Sequence, residues 1–398
     1  GAQPGSRVRA NGTPLRSPAR GAEAVQAHAA PLVDRIGVDQ VGHWPIEVWN
    51  EPNLPHFWRG ADQQEYFRLY EATARAVKDV DPRLQVGGPV LSPGADDWWA
   101  PFAEFAARRE VPVDFVSRHA YTSGPAQHVP FGVYQDLRPP EDLLRQFGAA
   151  AEHLAGTALA GLPVHISEFN TSYRPDSPVH DTAYNAAYLA PVLAAGSEYV
   201  DSFAYWTLSD VFEEEGVPAA LFHGGFGLLT HGGIRKPTYH LYAFMARLGE
   251  QVLARGADHL VTRHRDGRLA VLAWQPVDGA PQAAPERHRI HLSLPLAVDG
   301  APGTAFVLRR RVGERDGNAL RAWQELGRPP SPTPRQLDHL HTAATPAVEH
   351  RAVPVTGGRV ELDLPLSRHE VTLVEIEAVR DQTPPWLDDT RIPGGAGR

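Results

Sequence analysis

The spacing of apolar positions changes character about two-thirds of the way along the chain. Between residues 21 and 248, short apolar runs alternate with longer amphipathic stretches. The runs Trp44–Trp49, Leu84–Gly87, Asp114–Ser117, Val164–Ser167 and Ser202–Trp206 read as strands. Ala22–Ile36, Gln63–Val80, Asp97–Arg109, Pro140–Leu154, Thr182–Ala195 and Tyr239–Leu253 read as helices. In Gln63–Val80, Tyr66, Leu69, Tyr70 and Ala74 recur at i, i+3, i+4 spacing, the stripe of a helix lying on a sheet. Strands alternating with helices predict a parallel sheet covered by helices, either doubly wound or a (β/α)8 barrel. No glycine-rich phosphate loop follows the first strand, which disfavours a nucleotide-binding doubly wound sheet. Polar and aromatic groups stand just beyond the C-terminal end of each strand, as on the catalytic face of a barrel.

The expected fold class is therefore α/β: a TIM-type (β/α)8 barrel over 21–248, of which about five βα units are present. From 249 to 380 the pattern becomes strand–turn–strand, with runs at Leu260–His264, Leu269–Trp274, Arg289–Leu294, Phe306–Arg311, Arg359–Leu364 and Glu370–Ile376. Asp266-Gly267 between the first two is a hairpin signal, and the whole reads as a β-sandwich. Residues 1–20 are expected to form an irregular arm and 381–398 a loose tail.

Composition narrows the chemistry. With 42% hydrophobic and 21% charged residues, the 398-residue chain can bury a sizeable core. A formal charge of −9 argues against nucleic-acid or anionic-membrane partners. The absence of cysteine removes disulfides, thiolate catalysis and Cys-ligated metals together. Lys78 and Lys236 are the only lysines, so a Schiff-base mechanism would have to use one of them. There is no apolar run of ~18 residues that would span a bilayer. The expected location is cytoplasmic.

Two carboxylates stand out because each closes an apolar strand: Glu51 after Ile46–Asn50, and Glu168 after Val164–Ser167. On one parallel barrel both would project into the same mouth. Glycoside hydrolysis needs such a pair, one to protonate the leaving oxygen and one to attack the anomeric carbon or activate water. In Asn50-Glu51-Pro52, an asparagine beside the acid can hydrogen-bond a sugar 2-hydroxyl. Phe57 and Trp58 are candidates for walling a leaving-group subsite. Trp98 and Trp99 read as helix anchors, and His223–Gly227 as a tight loop beside the mouth. His339 and His341 lack a third ligand and read as surface residues.

The segments WPIEVWNEPNLPHFW (44–58), VGGP (86–89), SRHAY (117–121), HISEFN (165–170), FAYWTLSDVFEE (203–214), FHGGFGLL (222–229) and KP (236–237) resemble glycoside hydrolase family 39. The likeness is to its β-xylosidase branch more than its α-L-iduronidase branch. It continues through NALRAWQELGRPPSP (318–332) and SRHEVTLVEIE (367–377) and covers about residues 20–380. The resemblance implies a retaining exo-β-glycosidase with Glu51 as acid/base and Glu168 as nucleophile. It further implies Asn50 at the 2-hydroxyl, His119 and Tyr121 near the nucleophile, Trp206 under the sugar, and Glu213 and Glu214 on its distal hydroxyls. No metal or cofactor is implied, and the partner is a small saccharide. The same machinery could serve a β-glucoside, β-galactoside or arabinoside.

Family members carry three more βα units ahead of the acid/base strand, which need on the order of 95 residues where this chain has about 50. The expectation is an N-terminally truncated barrel whose open strand edges favour homo-oligomers. The competing expectation is a catalytically silent sugar-binding remnant.

Overall fold

Among the described residues, seven strands precede residue 206: β1 (Pro45–Glu47), β2 (Gln85–Leu91), β3 (Phe115–Tyr121), β4 (Gln127–Val129), β5 (Gly132–Tyr134), β6 (Val164–Asn170) and β7 (Ser202–Tyr205). β4 and β5 form a separate hairpin, and the other five make one parallel sheet in the order β1-β2-β3-β6-β7. Each strand pairs with the next parallel strand in the chain, the winding of a half-barrel. The computed structural model describes residues 18–129, 132–212, 214, 216–277, 288–296, 303–380, 382–384 and 386–392. Most of the expected arm, residues 381, 385 and 393–398 of the expected tail, and Glu213 lie outside them.

The crossovers are helical: α1 (Pro18–Ile36), α2 (Val38–Val41), α3 (Gln63–Val80), α4 (Trp99–Arg109), α5 (Glu141–Leu154), α6 (Ala183–Ala195) and α7 (Pro237–Met245). Asp62 starts α3 by accepting the Glu65 amide, and Thr182 caps α6 through the Asn185 amide. The predicted stripe of α3 is buried, with Tyr66 and Tyr70 fully inaccessible. Trp98 and Trp99 are buried at the start of α4, where Trp98 lies 5.9 Å from the Tyr66 ring, so both anchor that helix as read. The strands β2, β3 and β6 run to Leu91, Tyr121 and Asn170. The polar groups expected beyond their ends are thus the last residues within them.

The antiparallel region holds β8 (Gln251–Arg255), β9 (His259–Arg263), β10 (Leu269–Gln275), β11 (His288–Pro295), β12 (Gly303–Val312), β13 (Ala347–Thr356), β14 (Arg359–Leu366) and β15 (Glu370–Val379). These eight form a single sheet in the order β11-β14-β13-β12-β15-β10-β9-β8, bent so that Ile290, Leu294 and Leu364 share a core with Val261, Val271 and Val374. The expected helix to Leu253 is corrected: α7 ends at Met245 and β8 follows. A side chain at Gly249 would sit 2.3 Å from the Arg263 backbone, so here the chain leaves the helix and pairs with β9. Strand β13 and the helices α8 (Ala319–Glu325) and α9 (Pro334–Ala343) were not predicted.

The two regions share a continuous core. α6 is apolar around nearly its whole circumference, as a helix must be when both faces are covered. Trp274 and Leu373 from the antiparallel sheet join the same cluster as the helices that cover the parallel sheet. Helices α8 and α9 reach back to the segment between β7 and α7, where Ala322, Trp323 and Leu340 enclose Leu221, Phe222 and Ile234.

Candidate active site

The site is made by irregularities at strand ends. Along β6, Val164 and Ile166 face the helices and His165 faces the interior, so strict alternation would turn Glu168 outward. The ladder slips there, because Arg118 pairs with Ile166 but His119 pairs with Glu168. The extra residue, Ser167, returns Glu168 to the interior beside His119, the usual consequence of a bulge at a functional site. A second bulge at Val90 in β2 presents a carbonyl oxygen that accepts the Glu51 amide at 3.1 Å. Trp49 and Glu51 both have positive φ, 72° and 45°, a strained turn of the kind found where side chains must be aimed.

These features converge on His119, which is 2% exposed. Its Nδ1 lies 2.8 Å from Glu51 Oε1 and 3.5 Å from Glu168 Oε2. One oxygen of each glutamate and the imidazole nitrogen all fall within 4.8 Å of one another. The Tyr121 hydroxyl donates to Glu168 Oε1. Gln146 fixes the Tyr121 backbone from α5, its amide donating to the Tyr121 carbonyl at 2.9 Å.

Burial raises the Glu168 carboxyl above the usual carboxylate range; His119 and the Tyr121 hydroxyl oppose this, while Glu51 and Glu47 add to it. Burial pulls the His119 imidazole down, but its hydrogen bond to Glu51 and the surrounding carboxylates outweigh that and leave it above its ordinary value. Burial and the nearby carboxylates hold the Tyr121 phenol well above its usual value, so it remains a donor. The Glu51–His119–Glu168 set could ligand a divalent cation. Its atoms, however, are already engaged in hydrogen bonds with one another and with Tyr121, an arrangement suited to moving protons.

Of the other predicted residues, Asn50, Trp206 and Glu214 are among the described ones. Trp206 follows β7, and its carbonyl accepts from Asn170, two residues after Glu168. Asn50 and Glu214 are exposed, and the Glu214 charge is felt at Tyr121. Trp58 is corrected: it is 2% exposed, packed between Trp49 and Tyr66, and belongs to the core instead of a subsite wall. Residues missed by sequence reasoning include Glu47, which adds charge to the site from β1 and has a buried oxygen without a hydrogen bond. Its position between outward-facing Ile46 and Val48 was the available signal. Phe212 and Phe226 were also missed; they meet the Trp206 ring edge-on at 5.3 Å and 6.5 Å.

The family model for glycosyl hydrolases family 39 matches residues 1–360. The chain belongs to that family. A β-xylosidase of Geobacillus stearothermophilus is 46% identical over 387 residues, covering 96% of this chain and 75% of the relative. One from Caldicellulosiruptor saccharolyticus is 30% identical and covers 92% of this chain and 75% of its own. The structure of a monomeric β-xylosidase from Caulobacter crescentus superposes with a TM-score of 0.80 at 33% identity, over 89% of this chain and 74% of that one. As a family 39 member the chain is a glycoside hydrolase acting on O-glycosyl bonds.

Proposed function

We propose that this family 39 enzyme is a retaining exo-β-xylosidase with Glu168 as nucleophile and Glu51 as acid/base. The observation that carries the reading is the approach of the two carboxylates. Oxygens within 4.8 Å fit the ~5–5.5 Å carboxyl separation of retaining enzymes and leave no room for the water that inverting enzymes place between theirs. In the first step Glu168 attacks the anomeric carbon while Glu51 gives its proton to the glycosidic oxygen, releasing the alcohol. Water then gives a proton to Glu51 as its oxygen displaces Glu168, and the sugar leaves with its original anomeric configuration.

Asn50 would hold the 2-hydroxyl and Trp206 the apolar face of the ring. Glu214, with Glu213 outside the described residues, would accept from the distal hydroxyls. Two carboxylates there favour a neutral sugar over a uronide. The similarity to named β-xylosidases supports xylose. The five-stranded sheet is read as part of a (β/α)8 barrel, in keeping with its sequential parallel order and its family 39 relatives.

The test is hydrolysis of a panel of nitrophenyl β-glycosides by the chain and by Glu168→Ala and Glu51→Ala. A 2-fluoro-xyloside should leave a covalent adduct on the peptide carrying Glu168, read by mass spectrometry. Equal, background rates in all three proteins would reject the enzyme reading. A glucoside or arabinoside cleaved much faster than the xyloside would reject xylose.

A further inference from the structure

Lys236 is completely buried just ahead of α7, in a cluster of charge that the hydrolytic steps do not use. Its ammonium lies 2.7 Å from Asp181 Oδ1, 2.8 Å from Asp210 Oδ2 and 2.8 Å from the Gly225 carbonyl oxygen. The carboxylates, at most 3% exposed, also accept from the loop: Asp181 Oδ2 from the Gly224 amide at 2.7 Å, and Asp210 Oδ1 from the Gly227 amide at 2.7 Å. Burial pulls the ammonium's pKa down, and the two carboxylates more than restore it, so Lys236 stays charged. The cluster thus joins three separate stretches of chain through hydrogen bonds to the loop His223–Gly227.

The glycines of that loop are explained by this contact. A side chain at Gly225 would lie 2.4 Å from Asp210 Oδ1, and one at Gly227 2.4 Å from the Asp210 amide. Gly224 has φ +81 and would press on the Ser177 backbone at 2.5 Å. Between the clamped glycines sits Phe226, 4% exposed, whose ring backs both Trp206 and Phe212. The Leu228 amide donates to the Thr207 carbonyl at 3.0 Å, so the loop also holds the backbone that follows Trp206.

We infer that Lys236 is a positioning residue for sugar binding: by bridging Asp181 and Asp210 it clamps the His223–Gly227 loop, whose Phe226 fixes the angle of the Trp206 ring. This rests on Trp206 being the floor of the sugar site. A floor free to tilt weakens the bound sugar more than it slows bond cleavage, because both glutamates are held by other strands.

The experiment compares the wild type, Lys236→Met, Gly225→Ala, Trp206→Ala and Leu364→Ala, each assayed equally far below its own Tm. Gly225→Ala pushes the loop off Asp210 without changing any charge. Leu364→Ala destabilises the remote core of the antiparallel sheet. Lys236→Met and Gly225→Ala should each raise KM for a nitrophenyl β-xyloside about tenfold, with a smaller change in kcat, the ratio for ~1.4 kcal/mol of lost binding. Amide hydrogen exchange across 206–228 should rise in both, and Leu364→Ala should alter neither reading. If Lys236→Met does not fold, Gly225→Ala carries the test alone. Unchanged KM in the clamp variants beside raised KM in Trp206→Ala refutes the clamp, as does an equal rise in Leu364→Ala. Unchanged KM in Trp206→Ala refutes the sugar floor itself.

Discussion

Replacing Tyr121 by Phe removes one oxygen and one hydrogen bond from the centre of the site. Tyr121 is 6% exposed, and its ring stays in place, so the change opens only a slight gap. What disappears is the donor to Glu168 Oε1. A hydrogen bond to a charged group contributes about 1.5–3 kcal/mol, and each ~1.4 kcal/mol is a factor of ten in proton affinity. The Glu168 carboxylate should then bind its proton about 10–100 times more tightly. Burial already raises this group, with His119 and Tyr121 opposing, so losing Tyr121 adds to the upward shift. The nucleophile must be ionised to attack. The acid limb of kcat/KM should therefore move to higher pH, while the alkaline limb, which does not report Glu168, should stay. The assay is kcat/KM for a nitrophenyl β-xyloside across the acid and neutral range, with Tm measured in parallel. An acid limb that does not move, or moves to lower pH, would refute the assignment of Tyr121 as the donor that keeps Glu168 ionised.

Glu168→Gln should raise Tm at neutral pH by about 1–3 °C while abolishing turnover. Its folded pKa lies above the unfolded one, so its ionisation destabilises the fold. That cost is absent below the unfolded pKa and complete above the folded one, so the advantage of the variant should vanish in acid; a constant advantage would contradict it. Gly87→Ala should lower stability by about 1–3 kcal/mol or more, because its Cβ would lie 2.4 Å from the Phe115 carbonyl across the β2–β3 ladder. Denaturant melts would show it, and a wild-type midpoint would refute the close approach. Trp323→Ala should cost about 3–5 kcal/mol, since its ring lies 5.5 Å from Phe222 and its Nε1 donates to the Pro329 carbonyl; a loss under 1 kcal/mol would mean that α8 does not brace the barrel loop.

The strands and helices of the parallel region were legible in the sequence because each carries its own period, and Gln63–Val80 matches its helix at both ends. It was less legible where neighbours decide. β8 follows the apolar spacing of α7, and only the close approach of Gly249 to Arg263 separates them. Antiparallel pairing with β12 and β14 sets β13, whose outward residues are mostly polar and exposed. The glutamates could be read because each closes an apolar run, but the bulge that turns Glu168 inward depends on pairing with β3. His223–Gly227 was recognisable as a tight loop, whereas its reason, the buried Lys236 cluster, joins residues from 181 to 236. Trp58 was misread because a tryptophan near an acid looks the same in sequence whether it lines a subsite or fills a core.

The geometry around His119 also bears on how one glutamate can serve as acid and then as base. The contact between Glu51 Oε1 and His119 Nδ1 at 2.8 Å holds a proton in either of two forms, carboxylate with imidazolium or carboxylic acid with neutral imidazole. Which partner has it depends on the field at the site, and the nearest outside charge is Glu168, 3.5 Å from the same nitrogen. While Glu168 is ionised it raises the proton affinity of the pair, and a proton is available for the leaving oxygen. In the proposed glycosyl-enzyme Glu168 is an ester and carries no charge. The pair then loses its nearest negative neighbour, and its hold on a proton weakens as water arrives. The change in the site then follows the covalent state of Glu168. In the proposed mechanism the acid-to-base switch therefore needs no movement of the protein: forming and breaking the ester changes the charge that decides where the proton resides.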